Sequence, residues 1–316
     1  CRVRGSARRR GALAPDRARR MGSSRDSGAD LDWAREAASW PNAQHSRFVN
    51  AGGLTWHLQD MGSGPAILLV HGTGASTHSW AGLAPLLAQR FRVIAPDLPG
   101  HAFSQLVSPA RASLPGMASS MAALLEHLAV RPVWVVGHSA GAAVLARMCL
   151  DNVIAPAALI SLNGALLPLR GLAGQFFAPA AKLLAGSSLV PRLFAWRAGD
   201  QRLVERLVRD TGSVPTPEMA ARYHRLVRSP RHVTGTLRMM AGWDLSSLSR
   251  QLRKIAPLLY LIVCDNDRTV SPTEGRRLHR LLPGSRLIAL PGLGHLGHEE
   301  APERFAERIF AIADTA

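Results

Sequence analysis

Apolar positions along the chain follow two alternating rhythms. Short, nearly continuous apolar runs occupy residues 66–70, 91–95, 133–136, 158–162, 258–263 and 286–290. Runs this brief, followed by Gly, Pro, Asp or Asn, read as strands buried on both faces. Amphipathic stretches at 80–89, 116–129, 140–150, 272–282 and 302–312 lie between or after them and carry the spacing of surface helices. Two β-like segments, 47–51 and 54–60, open the series around Gly52-Gly53, a hairpin signal. Together the rhythms predict an α/β protein with a mostly parallel sheet and helices on both faces.

The alternation breaks between residues 166 and 250. That stretch is helical in pattern and is punctuated by Pro168, Pro179, Pro191, Pro215 and Pro217. It is expected to form a helical lid over the carboxyl edge of the sheet. The expected organisation is a basic, disordered extension over 1–30, a first part of the core over 31–165, the lid over 166–250, and a second part of the core over 251–316.

Composition changes this picture little. A chain of 316 residues that is 47% hydrophobic and 19% charged can bury a sizeable core. The formal net charge of +16 raises nucleic-acid binding. However, residues 1–20 alone hold eight arginines against one acid, Asp16. The remaining excess is spread without an Arg–aromatic cluster, which argues against a nucleic-acid partner. Cys1, Cys149 and Cys264 are far apart and suggest neither a disulfide framework nor a zinc site, so a reducing, cytoplasmic setting is expected. No run of 18 apolar residues occurs, so no transmembrane segment is expected. Arg19-Arg20 is not followed by an apolar region and does not read as an export signal. Met21 stands as a candidate start.

The chemistry is carried by strand ends. Gly137-His138-Ser139-Ala140-Gly141 is a G-x-S-x-G match, weak alone but placed between a predicted strand and a predicted helix. A serine in that sharp turn exposes its hydroxyl at a helix N-terminus, as a nucleophile requires. His71-Gly72-Thr73-Gly74 follows an earlier strand, where backbone N–H groups can point at a developing oxyanion. The expected donors are Ala140 and Thr73, with Gly74 as the alternative to Thr73. Cys264-Asp265-Asn266-Asp267 ends another strand, and Asp267 is the expected orienting acid, ahead of Asp265. His295 lies in the glycine-flanked loop after the last predicted strand and is the expected general base. His298 follows three residues later. A metal pair would need a third ligand that is not evident, and no cofactor is expected. The order Ser139, Asp267, His295 is that of an α/β-hydrolase triad. Walker A and H-E-x-x-H motifs are missing, and Gly72-Thr73-Gly74 lacks the third glycine of a dinucleotide loop. His71, Gly72, His138, Phe176, Phe177, Phe194, Trp196, Met239 and Met240 are expected to contact substrate.

At these residues the chain resembles the α/β-hydrolase superfamily over 47–312. Pro96-Asp97-Leu98-Pro99-Gly100-His101 is similar to that superfamily's D-x-P-G-H-G-x-S loop. Ala102 stands where glycine is usual, and Cys264 stands where glycine commonly precedes the acid. Leu31-Asp32-Trp33-Ala34-Arg35-Glu36, the stretch from His71 to Trp80, Ser161-Leu162-Asn163-Gly164 and Pro291-Gly292-Leu293-Gly294-His295-Leu296 resemble the magnesium-chelatase accessory hydrolases of bacteriochlorophyll biosynthesis. That resemblance implies a serine hydrolase of ester-type, apolar substrates that assists magnesium chelatase beside photosynthetic membranes, with a tetrapyrrole as ligand. A non-catalytic tetrapyrrole-binding protein is the rival reading. C–C bond hydrolysis and a perhydrolase reaction use the same triad. A serine at 139 argues against dehalogenase or epoxide-hydrolase chemistry, which needs a carboxylate nucleophile.

Overall fold

The computed structural model describes residues 30–168 and 200–315. Its centre is an eight-stranded sheet: β1 (Ser46–Ala51), β2 (Leu54–Met61), β3 (Ala66–Val70), β4 (Arg92–Pro96), β5 (Trp134–His138), β6 (Ala158–Leu162), β7 (Leu258–Cys264) and β8 (Arg286–Leu290). The spatial order is β1-β2-β4-β3-β5-β6-β7-β8. The β1–β2 hairpin and the β2–β4 pair are antiparallel, and every later neighbour is parallel.

The apolar runs become strands because both faces of the sheet are covered. Leu68, Val70, Val135 and Leu159 pack on one face with helices Leu114–His127 and Ala140–Leu150. Ile67, Leu69, Val136 and Ile160 pack on the other with helices Leu83–Leu87 and Pro302–Thr315. Burial of each such aliphatic side chain stabilises the fold by about 1.5–3 kcal/mol.

Two of the boundary differences from the periodicity bear on the site. The strand expected over 133–136 extends to Gly137 and His138, because Gly137 pairs with Ser161 and His138 with Leu162. Ser139 therefore begins where the ladder ends, with no intervening loop. The helix expected over 80–89 contracts to Leu83–Leu87, preceded by a 3-10 turn over Thr77–Trp80.

The strand order also places the site. From β3 the chain crosses to β4 on one side, then returns to β5 on the other side of β3. A crevice opens at the carboxyl ends of strands where the winding reverses, and ligands of open α/β sheets bind there. The loops after β3 and β5 meet at that point. Between β6 and β7, helices Gln201–Asp210, Pro217–Val227, Pro230–Ala241 and Ser246–Gln251 lie over this edge.

Candidate active site

Ser139 is the residue between the end of β5 and helix Ala140–Leu150, with φ 50 and ψ −117. A positive φ is costly for any residue with a Cβ, by roughly 1–3 kcal/mol. Here the surroundings impose it. The Ser139 N–H donates to the Leu162 carbonyl at 3.0 Å, and the Ser139 carbonyl accepts from Ala142 and Ala165 at 3.2 and 3.0 Å. Glycine is required on both sides: a Cβ at Gly137 would strike the Ala142 backbone, and one at Gly141 would strike the Val70 carbonyl. The hydroxyl takes no part in capping its own helix.

The loop after β3 presses against this turn. A Cβ at Gly72 would lie 3.0 Å from the Ser139 Cβ and 2.9 Å from His138 Nδ1, so only glycine lets the two loops approach. Gly74 takes φ 77 and turns the chain. Gly72, Thr73, Ser139 and Ala140 thus line one cavity together.

The candidate acid and base come from loops after two further strands, β7 and β8. Asp267 follows β7 and is 5% exposed. Its Oδ1 accepts the Thr269 and Val270 N–H groups at 2.7 and 2.9 Å, leaving Oδ2 for His295 Nδ1 at 2.8 Å. Asp265 instead pairs with Arg276 at 2.9 Å on the surface. The helical segment 200–251 grips both loops: the Thr211 carbonyl accepts from Arg268 N at 3.0 Å and His295 N at 3.4 Å, and Ser213 Oγ accepts from Leu296 N at 2.8 Å.

Ser139 and His295 open into one cavity of about 720 Å³, within the size range of small-molecule sites. Its floor holds Gly72, Thr73, His138, Ser139, Ala140 and His295. Its walls are mainly apolar: Val204, Leu207, Val208, Val227, Met240 and Trp243, with Tyr223 and Thr236 among the polar members. Tyr223, Trp243 and the valines escaped the sequence reading, because helical spacing does not distinguish a face turned to a cavity from one turned to core.

Three of the expected substrate contacts, Gly72, His138 and Met240, line this cavity. Two do not. His71 is wholly buried; its Nδ1 donates to the Gly72 carbonyl at 2.8 Å and its Nε2 accepts from Leu98 N at 2.9 Å. It ties the loop after β3 to the loop after β4. Met239 is also fully buried, and its Sδ accepts from Thr73 Oγ1 at 3.6 Å, so it supports the loop from behind. Phe176, Phe177, Phe194 and Trp196 lie outside the described residues. Ala102, which replaces the usual glycine, adopts φ 39 and donates its N–H to His232 Nδ1 at 3.0 Å. The glycine conformation is kept without the glycine.

His298 is a support as well: its Nε2 donates to Ser79 Oγ at 2.9 Å. Among the described residues, no group of three or more His, Cys, Asp or Glu side chains could hold a metal, and no helix is long and apolar enough to cross a membrane.

Burial holds His71, His78, His101 and His138 below the ordinary imidazole range, His232 at about 4 and His298 at about 3. At His138 the neighbouring His298 and His295 add to that effect. Folded-state values below the unfolded value of about 6.5 mean that acid protonates the unfolded chain first. The stability these groups provide is complete above about pH 6.5 and is lost as pH falls towards 4, by up to about 1.4 kcal/mol per pH unit for each group. Glu299 acts oppositely: burial raises it to about 7, so its contribution weakens the fold as pH rises from about 4.5 to 7. One group opposes six, and the melting temperature is expected to drop steeply between pH 6.5 and 4.5. A flat profile by differential scanning calorimetry across that range would show that these imidazoles are not held neutral.

Comparison with known proteins agrees with this fold. The sequence model of the alpha/beta hydrolase family matches residues 67–308. The chain is 37% identical over 274 residues to the magnesium-chelatase 30 kDa subunit of Rhodobacter capsulatus, across 86% of this chain and 95% of that protein. Among solved structures, an alpha/beta hydrolase fold protein from Burkholderia ambifaria superposes with a TM-score of 0.71 at 24% identity, covering 83% of this chain and 96% of that one. A thermophilic esterase from Thermogutta terrifontis superposes with a TM-score of 0.69 at 24% identity, covering 85% and 98%.

Proposed function

The chain belongs to the alpha/beta hydrolase family, and from that premise we propose that it is a serine hydrolase acting on an ester-type bond in an apolar substrate. The observation that carries the reading is the strained φ of Ser139 in a cavity shared with His295, whose Nδ1 is held by Asp267. A structural serine has no need of that backbone conformation.

In this reading the Nδ1–H of His295 donates to Asp267, so Nε2 carries the free lone pair. As Ser139 Oγ attacks the carbonyl carbon, His295 takes the hydroxyl proton, and the carbonyl oxygen becomes an oxyanion. The N–H groups of Thr73 and Ala140 stabilise it, each such donor lowering the barrier by about 3 kcal/mol. His295 then protonates the leaving alkoxide. A water that gives one proton to His295 attacks the acyl carbon; as the second tetrahedral intermediate collapses, His295 returns that proton to Ser139 Oγ and the carboxylic acid is released. The Asp267 carboxylate stabilises the imidazolium at both stages.

The apolar walls favour a large hydrophobic arm on the substrate. Likeness to a magnesium-chelatase subunit supports an accessory role at the magnesium chelatase step of bacteriochlorophyll biosynthesis, with a tetrapyrrole or its ester as ligand. The same likeness supports a second reading, in which the protein binds the tetrapyrrole without turning it over. The test is to label purified protein with a fluorophosphonate and to assay p-nitrophenyl esters of increasing chain length beside porphyrin methyl esters. A Ser139 adduct, with kcat/KM rising from acetate to octanoate, is expected. Porphyrin binding without any adduct would favour the binding protein.

A further inference from the structure

Asn163 is the first residue past β6 and belongs to none of the three triad loops, yet its side chain touches two of them. Its Oδ1 accepts the Cys264 N–H at 2.8 Å, at the end of the strand that carries the acid. Its Nδ2 donates to the Gly294 and His295 carbonyls at 3.2 and 3.0 Å, in the loop that carries the base. The His295 carbonyl receives a second donor, His138 Nε2, at 3.0 Å, from the residue just before the nucleophile. All three catalytic loops therefore converge on the backbone of His295 through two buried side chains, Asn163 at 3% and His138 at 2% exposure.

We propose that Asn163 is a positioning residue: its amide fixes the separation between the Asp267 loop and the His295 loop, and so sets the orientation of the imidazole that serves Ser139. The proposal rests on the hydrolase reading above. The chemistry of the position calls for this residue. The site needs one acceptor and one donor in a rigid plane, and a primary amide offers both. The backbone there has φ 45, which asparagine tolerates better than most residues with a Cβ. Its own N–H donates to the Ile262 carbonyl at 2.9 Å, so the amide is anchored to the strand it braces. A carboxylate would keep the acceptor for Cys264 and lose the donors, turning a negative oxygen towards two carbonyls. His138, held neutral by burial, can donate from only one nitrogen. That nitrogen is committed to the His295 carbonyl, while Nδ1 has no partner.

The test is a double-mutant cycle on a p-nitrophenyl ester, using Asn163→Gly and Asn163→Asp in the native background and with Asp267→Asn. Glycine removes the clamp without adding backbone strain. Aspartate removes only the donors and leaves the end of β7 held. Each is expected to lower kcat by about 10- to 100-fold with KM within about twofold. In the Asp267→Asn background each should cost less than about threefold, because the alignment they protect is already lost. Equal losses in both backgrounds would mark a merely structural role, and unchanged kcat would remove any role; either overturns the proposal. An arm independent of turnover uses proton NMR of the hydrogen bond between His295 Nδ1 and Asp267. Its low-field, slowly exchanging proton is expected in the native protein and should broaden or vanish in Asn163→Asp. Persistence in the variant, or absence from the native protein, overturns the clamp. If the native protein neither hydrolyses ester nor takes up fluorophosphonate, the hydrolase reading falls, and the NMR result alone decides whether Asn163 holds the imidazole.

Discussion

Ser139→Ala is expected to reduce ester hydrolysis by about 10⁴-fold or more and to abolish fluorophosphonate labelling, while leaving the melting temperature within a degree or two of the native value. The activity loss is that large because in the proposed mechanism the acyl intermediate forms on this hydroxyl; oxyanion stabilisation and binding alone leave a small residue of rate. Stability should hardly move. The hydroxyl makes no capping bond, and alanine inherits the same φ of 50 with the same steric cost. Its backbone bonds to Leu162, Ala142 and Ala165 remain. Stopped assays with p-nitrophenyl butyrate and intact-mass measurement after labelling would check both halves. Undiminished turnover in a folded variant would mean that the reaction does not pass through this serine.

Asp267→Asn is expected to lower kcat by roughly 10³–10⁴-fold, and Asp265→Asn by less than about threefold. The difference follows from what each carboxylate holds. In Asp267, Oδ1 is committed to the N–H groups of Thr269 and Val270. An asparagine there keeps its carbonyl on those donors and turns its NH₂ towards His295 Nδ1. Two donors then face each other, so the imidazole must move its proton to Nε2. A protonated Nε2 cannot accept from Ser139. Asp265 is surface-exposed and its carboxylate accepts from Arg276, an interaction worth about 1 kcal/mol at most. Comparable losses in the two variants would show that the acid is shared or misassigned.

The candidate triad could be picked out from sequence because Ser139, Asp267 and His295 sit where local pattern changes. Val133 to Val136 read as strand and Ala140 onward as helix, and a serine between two glycines at that junction has few other uses. Where pattern was uniform, legibility stopped. His71 lies in the same glycine-rich loop as Thr73, so both read as site residues, yet one faces the cavity and the other ties two loops beneath it. Met239 and Met240 are neighbours on one helix, about 100° apart around its axis. One supports Thr73 and the other lines the cavity. Asp265 and Asp267 straddle a turn, and only the turn's geometry sends one inward.

The chain by itself determined the α/β class, the sharp turn at Ser139 and the order of the candidate site residues, because each is written in a local rhythm or a local steric demand. Tertiary structure decided which side chains reach one another. The winding reversal between β3 and β5 and the amide of Asn163 across two strand ends join residues more than sixty positions apart, and no local periodicity encodes a distance between them. Hydrogen-bond geometry is selective at a few tenths of an ångström, a scale fixed only once the packed sheet sets where its strands end.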